Sequence, residues 1–502
     1  MKIDLTSAAG VTDAVSRLAI PTQAIVDGRL TDAIDGARFD NIAPAHGRLL
    51  GQVTAAGEDD VAVAVAAARS AFEEGRWRDL PPRQRKLILH RFADLLESHA
   101  DELALLECLD TGKPISDARS VDIPLAIGTA RYYAEALDKL YGEVAPHVPG
   151  RLSYVVHAPL GVIAAIVPWN FPLHMAMWKV APALAMGNSV VLKPAEQSPM
   201  TALRIGALAL EAGVPPGVLN VVPGTGEAAG RALAMHNDVD MVAFTGSGAV
   251  GRKLMTYSAM SNLKRVSLEL GGKSPQIVFA DCPDLDAAAQ AAAWGIFYNQ
   301  GQVCTAASRL LVQRSIREDF IDRMLAVARA FEIGDPLDPA TRFGAIISQR
   351  QMDGVLGHID RARTEAGAPL LGGHRAREDS GGFYVEPTIF EIEPTMTLAR
   401  EEVFGPVLGI IGFDDEADAL RIANDSIYGL AAGVWTGKIG RAHRMADRLR
   451  AGLVWVNGWD ACDITMPFGG FKQSGFGRDR SMHALEKYAD LKAISMSWST
   501  TD

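Results

Sequence analysis

Apolar residues recur along this chain in two rhythms, short continuous runs and helical stripes, and their alternation predicts most of the architecture. Between Gly161 and Gly271 the short runs are Val162 to Val167, Val190 to Leu192, Val218 to Val222, Met241 to Phe244 and Arg265 to Glu269. Helix-patterned stretches such as Thr201 to Ala212 separate them. Strands apolar throughout, with helices between them, read as a parallel sheet covered on both faces. A second alternating region runs from about Gly272 to Gly470. Its first helix, Leu285 to Tyr298, delivers Cys304 at or just beyond its C-terminal end.

Upstream, Asp60 to Gly75 has an acidic start and an Ala/Val-rich helical pattern. Arg83 to Glu97 is amphipathic, with Leu87, Ile88, Phe92, Leu95 and Leu96 on one side. A further helix reaches Cys108 and breaks at Asp110-Thr111-Gly112-Lys113-Pro114. The first segment, up to about Ile20, is expected to be weakly structured, and Ile25 to Ala43 reads as short strands and turns. The last segment, Tyr488 to Trp498, alternates loosely and reads as an edge strand that another sheet or subunit must cover.

Composition narrows the class. A chain of 502 residues implies about three domains or lobes, each with a sizeable core. With 48% hydrophobic and 22% charged residues it has the make-up of a soluble globular protein. The net charge of −11 and the absence of a Lys/Arg run argue against nucleic acid as a partner. Cys108, Cys282, Cys304 and Cys462 are scattered without a CxxC pair, so neither a metal site nor a disulfide framework is expected, and a reducing cytoplasm is the simplest setting. The start, Met1-Lys2-Ile3-Asp4-Leu5, lacks the apolar core of a signal peptide. The most apolar stretch, Pro159 to Leu192, is interrupted by Pro168, Asn170, Pro172, His174, Lys179 and Pro182, so no membrane span is expected.

The candidate chemistry centres on Cys304, in Asn299-Gln300-Gly301-Gln302-Val303-Cys304-Thr305, with Glu269 35 positions upstream in Leu268-Glu269-Leu270-Gly271-Gly272-Lys273. A lone cysteine is ordinarily a small buried hydrophobe. A soft nucleophile accompanied by a carboxylate base and glycine turns points instead to covalent chemistry on a carbonyl. Gly246-Ser247-Gly248-Ala249-Val250-Gly251 follows a predicted strand, as a phosphate-binding turn does, although many such turns hold no ligand. The dinucleotide fingerprint also wants an acidic residue about 20 positions further on. Glu269, 23 positions after Gly246, meets that rule as a ribose ligand, so spacing leaves two roles open for it.

Three other segments carry candidates. In Pro168-Trp169-Asn170-Phe171-Pro172 two prolines restrict the backbone around Asn170. Its amide donates without titrating, which suits an oxyanion, though a turn asparagine looks the same. Lys193-Pro194-Ala195-Glu196 stands at the carboxyl edge of the predicted sheet, where it either holds a ribose or forms a solvated pair. Glu401-Glu402-Val403-Phe404-Gly405-Pro406 is another sugar-binding candidate or simply a loop.

Taken in order, these pieces resemble the NAD(P)-dependent aldehyde dehydrogenase superfamily from about Ile25 to Ser497. The terminal pattern Pro467-Phe468-Gly469-Gly470-Phe471-Lys472-Gln473-Ser474-Gly475-Phe476-Gly477-Arg478 adds to the match. Within the family the chain is similar to the branch acting on γ-glutamyl-γ-aminobutyraldehyde and related ω-amino or guanidino aldehydes. That likeness rests on Phe279-Ala280-Asp281-Cys282-Pro283-Asp284-Leu285, Ala442-His443-Arg444-Met445 and His483-Ala484-Leu485-Glu486-Lys487.

The resemblance implies an α/β fold with a Rossmann-type cofactor domain (1–140 and 161–271), a catalytic domain (272–472) and a β oligomerisation arm (141–160 and 486–502). It implies Cys304 as nucleophile, Glu269 as base, and Asn170 with the Cys304 amide as oxyanion hole, with Lys179 and Asp479 at positions suspected in proton relay. NAD, or alternatively NADP, would lie along Ile166, Pro168, Trp169, Lys193, Glu196, Gly226, Phe244, Gly246, Ser247, Val250, Leu270, Glu402 and Phe404. In this scheme Lys193 and Glu196 hold the adenosine ribose, Glu402 holds the nicotinamide ribose, and the Leu270 backbone meets the carboxamide. Phe171, Met175, Trp178, Trp459 and Phe468 would line the aldehyde tunnel. Asp122, Asp460 and Asp463 would either anchor a distant cation or be solvated acidic loops. The implied activity is oxidation of an aldehyde to the free acid by a homo-oligomer, a dimer or dimer of dimers. The alternatives are a broad-specificity aliphatic or aromatic aldehyde dehydrogenase and a non-catalytic binding protein on the same scaffold.

Overall fold

The structure, a computed structural model, describes residues 3–460 and 463–499; Met1, Lys2 and Cys462 lie outside the described residues. Each apolar run in the first alternating region forms a strand: Val162–Ile166, Ser189–Lys193, Leu219–Val221, Met241–Thr245 and Arg265–Glu269. They pair in parallel, with Val162–Ile166 in the middle. Burial explains why these runs do not alternate polar with apolar. Ile163 and Ala165 pack into one core with the helices Pro172–Ala185 and Met200–Ala212, while Val162, Ala164 and Ile166 pack into another with the helix Glu58–Glu73. Both faces are apolar, so both must be covered.

Antiparallel strands close the sheet at each end: the hairpin Ala24–Val26 and Arg29–Thr31 on one side, and Gly475–Phe476, which returns from near the C-terminus to pair with Arg265–Glu269. From Val162–Ile166 the chain runs outward through Ser189–Lys193 to Leu219–Val221. It then returns to the opposite side at Met241–Thr245. The reversal leaves a crevice between the loops after Ile166 and Thr245, the place where open α/β sheets bind ligands.

The second region forms a six-stranded, wholly parallel sheet in the spatial order Thr388–Glu391, Val407–Phe413, Arg309–Gln313, Pro275–Val278, Ala431–Trp435, Leu453–Val456. The third sheet is small. Ala489–Ser497 pairs antiparallel along its whole length with Arg151–Pro159, which also pairs with Glu143–Val144. One side of the terminal strand is thus satisfied inside the chain. Leu491, Met496 and Trp498 remain exposed.

One expectation is corrected. Ala8–Arg17 is a helix, because the Ser7 hydroxyl caps it by accepting from Gly10 N at 3.1 Å and because Val11 and Ala14, three apart, are buried. No helix among the described residues is long and apolar enough to cross a membrane.

Candidate active site

The crevice between the loops after Ile166 and Thr245 opens into a cavity of about 220 Å³. Pro168, Trp169, Asn170 and Met175 line it from one side, Gly246 and Ser247 from the next strand's end, and Glu269 and Leu270 from the strand beyond. Cys304, Glu402 and Phe404 reach it from the second region. Residues scattered over more than two hundred positions therefore share one space.

Cys304 is presented by an unusual loop. The helix Leu285–Phe297, capped at its start by Asp284, gives way to a tight turn at Tyr298–Gly301 in which Asn299, Gln300 and Gly301 all have positive φ. At Gly301 a Cβ would stand 2.2 Å from the Gly405 carbonyl, so only glycine lets the two loops close. Asn170 fixes the far end of the turn by donating from Nδ2 to Gln302 O at 2.9 Å, and Asn299 Nδ2 donates back to Asn170 O at 3.0 Å. The Cys304 amide makes no hydrogen bond within the described chain, so it and the second N–H of Asn170 remain free donors at one place. Burial and the Glu402, Asp460 and Glu269 carboxylates push the Cys304 thiol well above its ordinary range.

Glu269 ends its strand buried, and neither carboxylate oxygen has a hydrogen-bond partner among the described residues. Burial, reinforced by Asp479, holds its proton far above the usual carboxylic range, with Lys179 and Lys487 opposing. These lysines do not reach the cavity. Both bond to Asp479, each to a different oxygen, in a group that is almost wholly buried. Lys179 thus acts on Glu269 only through space.

The rim residues are held as firmly. Gln351 Nε2 donates to Phe404 O at 2.9 Å and to Val403 O at 3.3 Å. This pins Phe404 at φ 54° with its ring edge-on to Trp169, the centroids 5.2 Å apart. Glu402 Oε1 accepts from Gly272 N at 2.9 Å, and the carboxylate stands where a Cβ on Gly271 would be. Burial pushes it up to about 7, against the Gly272 amide and Lys273. Leu270 spends its amide on Ser474 O at 3.0 Å, which leaves only its carbonyl for a ligand. Gly246 is required by its neighbour, since a Cβ there would strike the Phe244 ring at 2.4 Å.

The remaining expected cofactor positions stand away from this cavity. Lys193 is buried, and its ammonium bonds Pro194 O at 2.8 Å and Glu196 at 3.5 Å. The Glu196 side chain is 39% exposed. Val250 is 40% exposed at the start of the helix Gly248–Met260, and nothing lies within 4 Å of a Cβ placed on Gly226. Ile166 and Phe244 are core residues beneath the crevice.

Of the expected tunnel residues, Met175 lines the cavity and the others flank it as an aromatic wall. Trp178 packs on Phe468 with centroids 4.8 Å apart and donates from Nε1 to His174 Nε2 at 2.7 Å. Phe171 stacks on Tyr298. Trp459 leans on Trp455 and faces a second, outer cavity. Asp122 is corrected: it is neither a solvated loop nor a free anchor, because it is fully buried and bound to Lys113, which also lies 3.8 Å from Glu107. Asp460 and Asp463 are exposed.

Sequence reasoning missed Thr245 and Gly271 in the lining, as well as Gln351 and Tyr298. Thr245 and Gly271 adjoin segments already singled out. Gln351 sits on an ordinary amphipathic helix, Gln349–Ala366, and nothing in its neighbours marks it.

A thiol, an amide donor and an unpartnered carboxylate around one cavity define a carbonyl-processing site. The chain belongs to the aldehyde dehydrogenase family, whose model matches residues 31–494, and it is an oxidoreductase acting on the aldehyde group. Among curated relatives it is 50% identical, over 97% of each chain, to the NADP/NAD-dependent aldehyde dehydrogenase PuuC of Escherichia coli. Among solved structures it superimposes with TM-score 0.96 and 55% identity on the γ-glutamyl-γ-aminobutyraldehyde dehydrogenase of Burkholderia cenocepacia, covering 98% of this chain and 99% of that one. It matches an indole-3-acetaldehyde dehydrogenase in complex with NAD+ with TM-score 0.97 and 52% identity, covering 98% and 100%.

Proposed function

We propose that the protein oxidises ω-amino, γ-glutamylamino or guanidino aldehydes, products of amine and polyamine breakdown, to the free acid with NAD+. The observation that carries this reading is the convergence of Cys304, Asn170 and Glu269 on one cavity at the sheet's switch point. PuuC, the aminoacetaldehyde dehydrogenase of Pseudomonas aeruginosa (48% identical) and the Burkholderia enzyme support the substrate class.

In this mechanism Cys304 Sγ forms a bond to the aldehyde carbon while the carbonyl π pair moves onto oxygen. The thiol proton leaves to ionised Glu269, directly or through water. The free N–H of Asn170 and the Cys304 amide hold the oxyanion of the resulting thiohemiacetal. Bound in the crevice, NAD+ supplies the acceptor for the hydrogen and electron pair that leave this carbon. The product on Cys304 is a thioester. Glu269 passes the first proton to solvent and, ionised again, takes a proton from water, whose oxygen adds to the acyl carbon; Cys304 departs with that proton as the acid is released.

The residues on hand suit a dinucleotide. Lys193 and Glu196 offer donor and acceptor for a ribose, the open space at Gly226 and the exposed Val250 leave room for a planar base, and Ser247 heads the helix where phosphates are drawn. Glu402 and the Leu270 carbonyl face the redox-active end. Glu196 disfavours a 2′-phosphate, so NAD+ is preferred over NADP+.

Residues 1–140 and 161–271 serve as the cofactor domain and 272–472 as the catalytic domain. The small sheet of 141–160 and 486–502, with its exposed apolar residues, serves in homo-oligomer formation. The cytoplasm is the proposed location. Incubation with NAD+ and a panel of aldehydes, following NADH absorbance, tests the whole reading. ω-Amino and γ-glutamylamino aldehydes should lead the panel, and no NADH from any aldehyde would refute it.

A further inference from the structure

Beyond the aromatic wall lies a second cavity, open to solvent and about 1000 Å³ in volume, which none of the catalytic steps above uses. Trp294, Trp459, Phe331, Asp117 and Arg342 contribute to its lining. Stacked rings connect it to the catalytic loop. Trp294, 44% exposed, stacks on Tyr298 with centroids 4.5 Å apart, and Tyr298 stacks on Phe171 at 6.1 Å, next to Asn170. Trp459 belongs both to this cavity and to the apolar cluster that includes Cys304 and Phe171. The rings thus run in contact from the outer cavity to Phe171, beside Asn170.

The charges at the outer end are opposite and unspent. The side chains of Asp117 and Arg342 form no hydrogen bond or ion pair with any other described residue, although the guanidinium acts on the carboxylate through space. Lys113 and Asp122 lie deeper and are already paired with each other. Burial, reinforced by Asp122 and opposed by Lys113 and Arg342, pushes the Asp117 carboxyl up to about 7, the condition of a group lacking a close cation. A carboxylate and a guanidinium beside indole faces match one ligand chemistry: an ammonium and a carboxylate on one carbon at the end of an apolar or amide-linked chain.

We infer that this outer cavity is the binding subsite for a zwitterionic α-amino-acid headgroup carried at the far end of the aldehyde substrate, with Arg342 receiving its carboxylate and Asp117 its ammonium. The inference rests on the proposed aldehyde oxidation and selects the γ-glutamylamino member of its substrate class. An N-acylaminobutyraldehyde without these charges would reach the same aromatic wall but leave both groups unpaired.

The test uses the full-length enzyme, NAD+ and three aldehydes: γ-glutamyl-γ-aminobutyraldehyde, its analogue lacking the α-amino and α-carboxyl groups, and hexanal. Loss of one charge-assisted hydrogen bond lowers affinity about 10-fold or more. Arg342→Gln and Asp117→Asn should each raise KM for the zwitterionic substrate by about that factor. Neither should change its kcat or any constant for hexanal. If both variants keep wild-type KM for the zwitterion, or lose activity equally on all three aldehydes, the subsite assignment is overturned. Should the wild-type enzyme oxidise none of the three, the catalytic reading itself fails, an outcome separate from the first.

Discussion

Asn170 donates its side-chain amide to the carbonyl of Gln302, two residues before Cys304, at 2.9 Å. With the return bond from Asn299 Nδ2 to Asn170 O, this bond sets the distance between the loop leaving the first sheet and the loop that carries the thiol. The same amide keeps a second N–H free, so in the proposed mechanism a single residue both positions the nucleophile and supplies an oxyanion donor.

Removing that amide should be costly. Asn170→Ala is expected to lower kcat by about 10²–10³, the loss seen for one oxyanion donor. KM should change far less. Steady-state kinetics on the preferred aldehyde checks this, and a kcat within a few-fold of wild type would exclude the role.

The proposed mechanism uses Cys304 and Glu269 at different stages, so their variants should fail differently. Cys304→Ala should produce no NADH even in a single turnover. Glu269→Gln should retain a burst approaching one NADH per active site where solvent takes the thiol proton in place of the carboxylate, followed by turnover slowed about 10²–10⁴-fold, the usual contribution of a general base. Rapid-mixing absorbance separates the two, and linear wild-type turnover in either variant contradicts the assignment.

Asp479 should govern the pH profile without touching substrate. Its charge helps keep the proton on Glu269, whereas Lys179 and Lys487 favour the ionised form. A general base works ionised, so the rate falls as pH drops through the Glu269 titration. Neutralising the residue in Asp479→Asn removes the raising influence and leaves both lysines unmatched, so this limb should move to lower pH. The variant should also lose about 3–5 kcal/mol of stability, because two buried ammonium groups lose their counter-ion. A profile unmoved in a folded variant would show that Asp479 is structural only.

Glu402 predicts a pH dependence of cofactor affinity. In the proposed function it accepts, when ionised, from ribose hydroxyls, and burial pushes it up to about 7. As pH falls through that value the acceptor is protonated, so KM for NAD+ should rise. Glu402→Gln should start higher and stay flat. Equal slopes in the two proteins would rule out this carboxyl as the titrating group.

Cofactor choice should follow Glu196. Glu196→Gln is expected to raise kcat/KM for NADP+ relative to NAD+ about 5-fold, the value of one exposed like-charge contact of about 1 kcal/mol. An unchanged ratio would place the 2′ position elsewhere.

Much of this architecture was legible in the chain because its local signals agree with its packing. Arg265–Glu269 is a strand with the expected limits, and Cys304 follows its helix as the apolar stripe implied. Residues whose role arises from distant approach were not legible. Gln351 matters because it catches Phe404 O, and Asp122 is silent because Lys113 reaches it across a segment that reads as a helix break. The early helix was hidden by brevity: two buried residues and a serine cap suffice for Ala8–Arg17, too few to stand out as a period. Glu269 had two readings from spacing, since position in sequence does not say whether a carboxylate faces a sugar or a thiol. Its place in the same cavity as Cys304 supports the second.

The strand Gly475–Phe476 sets the order in which this enzyme can mature. Its neighbour Ser474 holds the Leu270 amide and, through its hydroxyl at 2.8 Å, the Gly271 carbonyl, while Asp479 holds Lys179. A chain still emerging from the ribosome can fold most of both large sheets and yet lack the clasp around its base. Fragments ending short of this clasp are therefore expected to be chemically silent even where they are folded.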